Sequence, residues 1–277
     1  GYAKCPNIYK KITPDLKMIG SKLYYIDLSQ GDNSMGGSSL SQYLNKIYTE
    51  PPYINDVSKL KQTFKIVQRL IKDNVILSGH DKSDGGLITT LLEMSFAGNI
   101  GIDIKINEHK LIEYMFNEEI GIVIESQHDI TNYFTNHGIE IIEIGKTIGD
   151  NKVLIRNFNK VVLSKPMTEL RQFWERPSYL IEKKQCLGKL VNEENKIYKS
   201  FEEPTYQVFN NHLYQKHIIQ NNKYKVAIIR EEGSNSYKEM GAAFLLGMDN
   251  ATDINSYDLI HNPNLLDEFN VIAFVGG

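Results

Sequence analysis

Gly79-His80-Asp81-Lys82-Ser83-Asp84-Gly85-Gly86 joins the apolar run Asn74-Val75-Ile76-Leu77-Ser78 to Leu87-Ile88-Thr89-Thr90-Leu91-Leu92-Glu93-Met94-Ser95-Phe96-Ala97, which stops at Gly98-Asn99. The first run is short and β-branched and the second is rich in helix formers, so the pattern is strand, polar turn, helix. Two aspartates and a hydroxyl in the turn offer oxygen ligands to a hard cation, and the glycines let phosphate oxygens approach backbone N–H groups at a helix N-terminus. An N-cap made by Asp84 or Ser83 accounts for the same letters. The loop alone leaves both readings open.

Outward from this turn, strands and helices alternate. Leu23–Leu28 reads as a strand, followed by the glycine- and serine-rich Gly31–Ser39 and a helix over 39–48. Asp56 stands as N-cap of a helix whose Val57, Leu60, Phe64, Val67 and Ile71 form a core stripe. Strands follow at 101–106, 120–125 and 139–144, with helices near 108–116 and 128–136. Lys152–Arg156 and Val161–Ser164 read as a hairpin, and Pro166 opens a helix that completes a domain near residue 175. The Lys-, Glu- and Asn-rich residues 176–222 read as a connecting segment with at most short helices. Lys225–Arg230, a helix over 236–246 and Val271–Val275 then open a doubly wound α/β domain with two buried-type strands.

The composition is that of a globular chain: 277 residues, 41% hydrophobic, with 31 basic against 34 acidic side chains. A net charge of -3 provides no broad footprint for nucleic acid, so none is expected as a partner. Apolar runs such as Ile120–Ile124 fall far short of the roughly 20 residues that cross a bilayer, so no membrane is expected either. Cys5 and Cys186 lack a CxxC partner, which suits a reducing compartment and a cytoplasmic location. Gly1 where an initiator Met would stand, and Phe274-Val275-Gly276-Gly277 running from a strand into a turn, lead us to expect an internal piece of a longer protein.

Several segments resemble, in family order, the large single-chain formylglycinamide ribonucleotide amidotransferases (phosphoribosylformylglycinamidine synthases). They are Ile12-Thr13-Pro14-Asp15-Leu16-Lys17; Tyr25-Ile26-Asp27-Leu28 with Met35-Gly36-Gly37-Ser38; His80–Leu87; Glu93–Asn99; Phe116-Asn117-Glu118-Glu119-Ile120-Gly121; Arg230-Glu231-Glu232-Gly233-Ser234-Asn235; and Phe274–Gly277. The resemblance implies an α/β (α+β layered) fold: an aminoimidazole ribonucleotide synthetase-type C-terminal subdomain, then the start of a doubly wound class I glutaminase. It divides the chain at 1–30 (end of an ATP-binding-type N-terminal subdomain), 31–175, 176–222 (linker) and 223–277 (truncated glutamine amidotransferase).

It further implies a purine-biosynthesis ligase that uses ATP, glutamine and formylglycinamide ribonucleotide, with Mg²⁺ and ATP/ADP as bound groups and the remaining domains of the same chain as partners. The implied Mg²⁺ ligand is Asp81 and the implied nucleotide contact is Ser83. Lys82 stands where the family often has arginine, and Asp84 is left to cap the helix or to support Asp81. The implied site is the auxiliary one of two pseudo-equivalent nucleotide sites, which retains its nucleotide. No catalytic residue is assigned, because the glutaminase Cys, His and Glu of the resemblance lie beyond Gly277. The alternatives are a non-catalytic nucleotide-retaining module and another synthetase of the superfamily. His80 is expected to be packed or hydrogen-bonded. Asn117, Glu118 and Glu119, just before a buried strand, are open to a substrate contact, but the preferred reading is a water-exposed polar cluster at a helix end.

Overall fold

The computed structural model describes residues 5, 7–29, 32–54, 56–196, 224–247 and 250–276. The chain divides into two units, Gly1–Glu203 and Pro204–Gly277.

The described residues of the first unit build a seven-stranded sheet from β1 (Lys22–Asp27), β2 (Ile76–Asp81), β3 (Gly101–Ile106), β4 (Gly121–Ser126), β5 (Ile142–Ile148), β6 (Lys152–Asn157) and β7 (Lys160–Pro166). Their order is β2-β4-β1-β5-β3-β6-β7, antiparallel throughout except between β3 and β6. The helices are α1 (Ser39–Tyr43), α2 (Val57–Lys72), α3 (Gly86–Gly98), α4 (Leu111–Phe116), α5 (Thr131–Thr135), α6 (Met167–Gln185) and α7 (Gly188–Glu194).

The strand β1 explains the layering. Leu23, Tyr24, Tyr25 and Ile26 are all fully buried, as a continuous apolar run requires when both sheet faces are covered. Alternate side chains serve opposite cores: Leu23 and Tyr25 pack with Leu87, Leu91 and Met94 of α3, while Tyr24 and Ile26 pack with Ile66, Val67 and Leu70 of α2.

The division expected after residue 30 is corrected here. β1 lies inside the sheet between β4 and β5, so residues 22–27 belong to the same unit as the rest of it. The residues before β1 are held to it as well. Buried Glu125 accepts bonds from Lys17 N (2.9 Å) and Met18 N (3.0 Å), and from the hydroxyls of Ser21 (2.6 Å) and Ser78 (2.8 Å). Four donors satisfy a carboxylate that would otherwise be costly to bury.

The division at 175 is corrected too. The helix α6 continues through Pro177 to Gln185 and is followed by α7, so the first part of the expected linker is helical. Proline removes one backbone donor but leaves both flanks helical. The rest of that segment, 197–222, lies outside the described residues.

Asp56 does cap α2, accepting from Ser58 N and Lys59 N. The buried face of α2, however, is Thr63, Ile66, Val67 and Leu70, with Val57 and Phe64 exposed. The stripe chosen from apolar letters alone is thus rotated: threonine serves the core and phenylalanine faces out. The short helices near 39–48, 108–116 and 128–136 exist but are shorter than expected, and the strand expected at 139–144 runs from Ile142 to Ile148.

The second unit contains β8 (Lys225–Arg230), α8 (Tyr237–Leu246), β9 (Asn250–Asn255), α9 (Ser256–His261), a 3₁₀ turn (Pro263–Glu268) and β10 (Val271–Phe274). Its strands are parallel in the order β10-β8-β9. The strand β9 was not expected, since Asn250-Ala251-Thr252-Asp253-Ile254-Asn255 is mostly polar. The strand β10, expected to be buried, is an edge strand with Phe274 76% exposed.

Candidate functional site

The strand β2 ends at Asp81, and one further ladder bond, Lys82 N to Gly121 O at 2.8 Å, carries the chain into the turn. The turn closes with Gly86 N donating to Ser83 O at 3.0 Å. Gly85 and Gly86 have φ of +83° and +73°, the left-handed region that glycine enters without steric cost. Gly86 also lies against the α4–β4 connection, where a Cβ would meet Met115 O at 2.7 Å and Asn117 O at 2.8 Å.

Asp81 lies at the surface with a side chain 77% exposed. Its Oδ2 accepts from Ser83 Oγ at 2.8 Å, and its Oδ1 lies 3.2 Å from His80 Nδ1. The Ser83 bond, joined by His80, holds the Asp81 carboxyl below its ordinary range against the opposing effect of partial burial. The other ring nitrogen of His80 lies 2.9 Å from Glu93 Oε2, so His80 is a hydrogen-bonded residue as expected. Asp81 and Ser83 are thus brought together.

Neither Asp84 nor Ser83 caps α3. The helix has Gly85 at its N-cap with no side-chain cap bond of its own, and Gly85 N instead donates to Glu118 Oε1 at 2.7 Å. The same oxygen accepts from Ser39 N at 2.8 Å, at the start of α1. The reading of Asn117, Glu118 and Glu119 as a water-exposed cluster is therefore overturned: Asn117 and Glu119 are each 1% exposed. Two acidic residues in a row usually signal solvent, but here the turn is enclosed by the loops on either side of it.

Beneath the turn, Lys82 is 5% exposed and donates to Tyr25 Oη at 2.7 Å and to Asn117 Oδ1. Burial pushes its ammonium down to about 8, although Asp27 and Glu119 pull the other way. Glu119 Oε2 is buried with no hydrogen-bond partner among the described residues, and Glu119 is one of the two acidic groups that favour the charged form of Lys82. Nothing in the letters around Lys82 signals burial, and the resemblance places it only where the family often has arginine.

The depressed Lys82 titration has a sign that is open to measurement. An unfolded lysine titrates near 10.5 and the folded one at about 8, so the folded state binds fewer protons between those values. Stability should rise with pH from about 8 upward, and be lost again as pH falls through 8. Relative to Lys82→Met, the wild type is expected to gain up to about 1.4 kcal/mol per pH unit between pH 8 and roughly 9.5. Denaturant midpoints of both proteins across that window check it; parallel curves would refute the depressed titration of the buried Lys82.

Among the described residues no group of three or more His, Cys, Asp or Glu side chains is placed to enclose a metal ion. One exposed carboxylate kept anionic does fit the habit of Mg²⁺, which takes one or two carboxylates and completes its shell with water and phosphate oxygens. No helix among the described residues is long and apolar enough to cross a membrane.

Residues 19–156 match the family model for AIR synthase related protein, C-terminal domain. The whole chain aligns at 37% identity with the probable phosphoribosylformylglycinamidine synthase, chloroplastic/mitochondrial, of Arabidopsis thaliana, and at 35% with the phosphoribosylformylglycinamidine synthase of Homo sapiens. It spans 20% and 22% of those proteins. The structure of T. maritima PurL complexed with FGAR covers 58% of this chain, which in turn covers 29% of it, at 11% identity and a TM-score of 0.48. Residues 19–156 therefore belong to the AIR synthase-related C-terminal domain family, set in a chain homologous to one stretch of the phosphoribosylformylglycinamidine synthases.

Proposed function

We propose that this chain forms part of a glutamine- and ATP-dependent ligase of purine biosynthesis that converts formylglycinamide ribonucleotide to formylglycinamidine ribonucleotide in the cytoplasm. The alignment of its full length at 35–37% identity with synthases of that name is the observation that carries the reading. The second unit, with its parallel β10-β8-β9 sheet, is read as the opening of the glutaminase. Activation of an amide oxygen by phosphate followed by displacement with ammonia is the chemistry of such a ligase.

Within it, Asp81 is the ligand for Mg²⁺ and Ser83 the contact to the nucleotide. Bound Mg²⁺ supplies neutralisation of polyphosphate charge. The chain's own residues supply the rest: Ser83 orients the Asp81 carboxylate and keeps it ionised, and His80, braced on Glu93, fixes its second oxygen. Lys82, Asn117 and Glu118 hold the turn from beneath and behind. A turn pinned at this many points suits retention of a nucleotide, which favours the auxiliary, structure-supporting role over turnover at this site. A ligand bound only to the folded state stabilises it.

The test is made on the full-length protein that carries this chain. Purified enzyme given glutamine, Mg²⁺-ATP and formylglycinamide ribonucleotide should form the amidine product with stoichiometric release of glutamate and ADP. ATP turnover with no amidine formed, under conditions where the human enzyme is active, would refute the assignment.

A further inference from the structure

Two neighbouring residues tie together the same two loops. Asn117 uses both ends of its amide: Oδ1 accepts from Lys82 Nζ, and Nδ2 donates to Asn33 Oδ1 at 3.0 Å. Glu118 does the same with a single carboxylate oxygen, which accepts from Gly85 N at 2.7 Å and from Ser39 N at 2.8 Å. Each residue therefore has one partner in the segment 33–39 and one in the turn 81–86. There is little slack between the clamp and the turn, because Gly86 lies so close to the backbone of residues 115–117 that even a methyl group has no room.

The segment on the far side of the clamp lines a groove. Asn33, Ser34 and Met35, with Asp32, Tyr48 and Tyr53, border a space of about 430 Å³, and Tyr53 Oη donates to Asp32 at 2.9 Å. Asn33 in one wall of this groove is thus fastened to the turn that carries Asp81 and Ser83 through Asn117, and the same segment is fastened a second time just beyond the groove, at Ser39, by the charge-assisted bridge through Glu118. Charge-assisted bonds are about twice as strong as neutral ones, so the Glu118 bridge carries much of the restraint.

We propose that Asn117 and Glu118 are positioning residues that couple the groove at residues 32–35 to the Asp81–Gly86 turn, so that a nucleotide held on the turn fixes the groove wall. This rests on the reading of Asp81 and Ser83 as the nucleotide site. Coupling requires an element that both ends bias, and the clamp is such an element. The clamp also assigns the polyphosphate to the Asp81 and Ser83 side of the turn, because the Gly85 N–H is already taken by Glu118.

Hydrogen exchange on the full-length protein, stripped of the nucleotide it retains and compared with and without Mg²⁺-ADP added back, separates the two claims. Protection of peptides over 81–86 reports the nucleotide, and protection over 33–44 reports the coupling. In wild type, Mg²⁺-ADP should slow exchange in both, by about tenfold over 33–44. In Glu118→Ala protection over 81–86 should persist while that over 33–44 falls at least about threefold. Glu118→Gln, which keeps the accepting oxygen without the charge, should fall in between, and it decides the matter where the alanine variant fails to fold. Wild-type protection over 33–44 in either variant overturns the coupling. Absence of nucleotide-dependent protection over 81–86 in wild type overturns the nucleotide reading instead. A merely structural role would lower protection with and without nucleotide alike, and that outcome also refutes the proposal.

Discussion

Replacing Gly86 with alanine is expected to destabilise the first unit by about 2–5 kcal/mol. Two costs combine. At φ +73° an L-residue is strained by about 1–2 kcal/mol. The new methyl would also stand 2.7–2.8 Å from Met115 O, Phe116 C and Asn117 O, all backbone atoms that cannot rotate away. Overpacking of that kind costs about 1–3 kcal/mol. Gly20 provides the control: its φ is +85° but a Cβ there meets nothing within 4 Å, so Gly20→Ala should carry the conformational cost alone. The total for Gly86 is a large part of the 5–15 kcal/mol typical of a domain. Urea denaturation of the two variants checks it, and equal midpoints would show that the approach of the turn to residues 115–117 is not tight.

The elements legible from sequence are those whose letters follow a simple physical pattern. Leu23–Ile26 is apolar without interruption and proved to be covered on both sides, and Asp56 caps its helix because an aspartate before an amphipathic run has backbone donors to satisfy. The polar turn between strand and helix at Asp81–Gly86 also follows from local order along the chain, whereas the bond from Ser83 to Asp81 is evident only in the structure. What escaped the sequence depends on distant partners. Glu118 is 33 residues from Gly85, Asn117 is 35 from Lys82, and Glu125 is 107 and 108 from the backbone N–H groups of Met18 and Lys17. A charged letter is read as solvent-facing unless its partner is known, so all four polar groups were missed or placed outside. The rotation of the α2 stripe has the same origin: Thr63 is core because of what packs over it, not because of its own hydropathy. The polar strand β9 forms because β8 offers it a parallel ladder from Lys225 to Arg230.

Loss of Asp81 should produce the largest functional effect. Its carboxylate is exposed, kept ionised by Ser83 and His80, and at the end of a strand whose turn is fixed from beneath by Lys82 and from behind by Glu118. Among the described residues no group of three or more His, Cys, Asp or Glu side chains is placed to hold a metal ion in its stead. On the proposed assignment of Asp81 as the Mg²⁺ ligand, alanine at this position removes that ligand, and the affinity for Mg²⁺-nucleotide at this site should fall by about 100-fold or more. This corresponds to roughly 2.7 kcal/mol. Because a ligand bound only to the folded state adds its binding energy to stability, the variant should also melt earlier, and adding Mg²⁺-ADP should no longer raise its midpoint.

The most direct measurement is the nucleotide content of the purified full-length protein, wild type against Asp81→Ala, read together with thermal stability and with glutamine-dependent amidine formation. Loss of a retained equivalent of nucleotide, accompanied by a lower melting midpoint and lost activity, is the expected result and places a structure-supporting nucleotide on Asp81 and Ser83. Nucleotide kept at the wild-type stoichiometry in Asp81→Ala would contradict it.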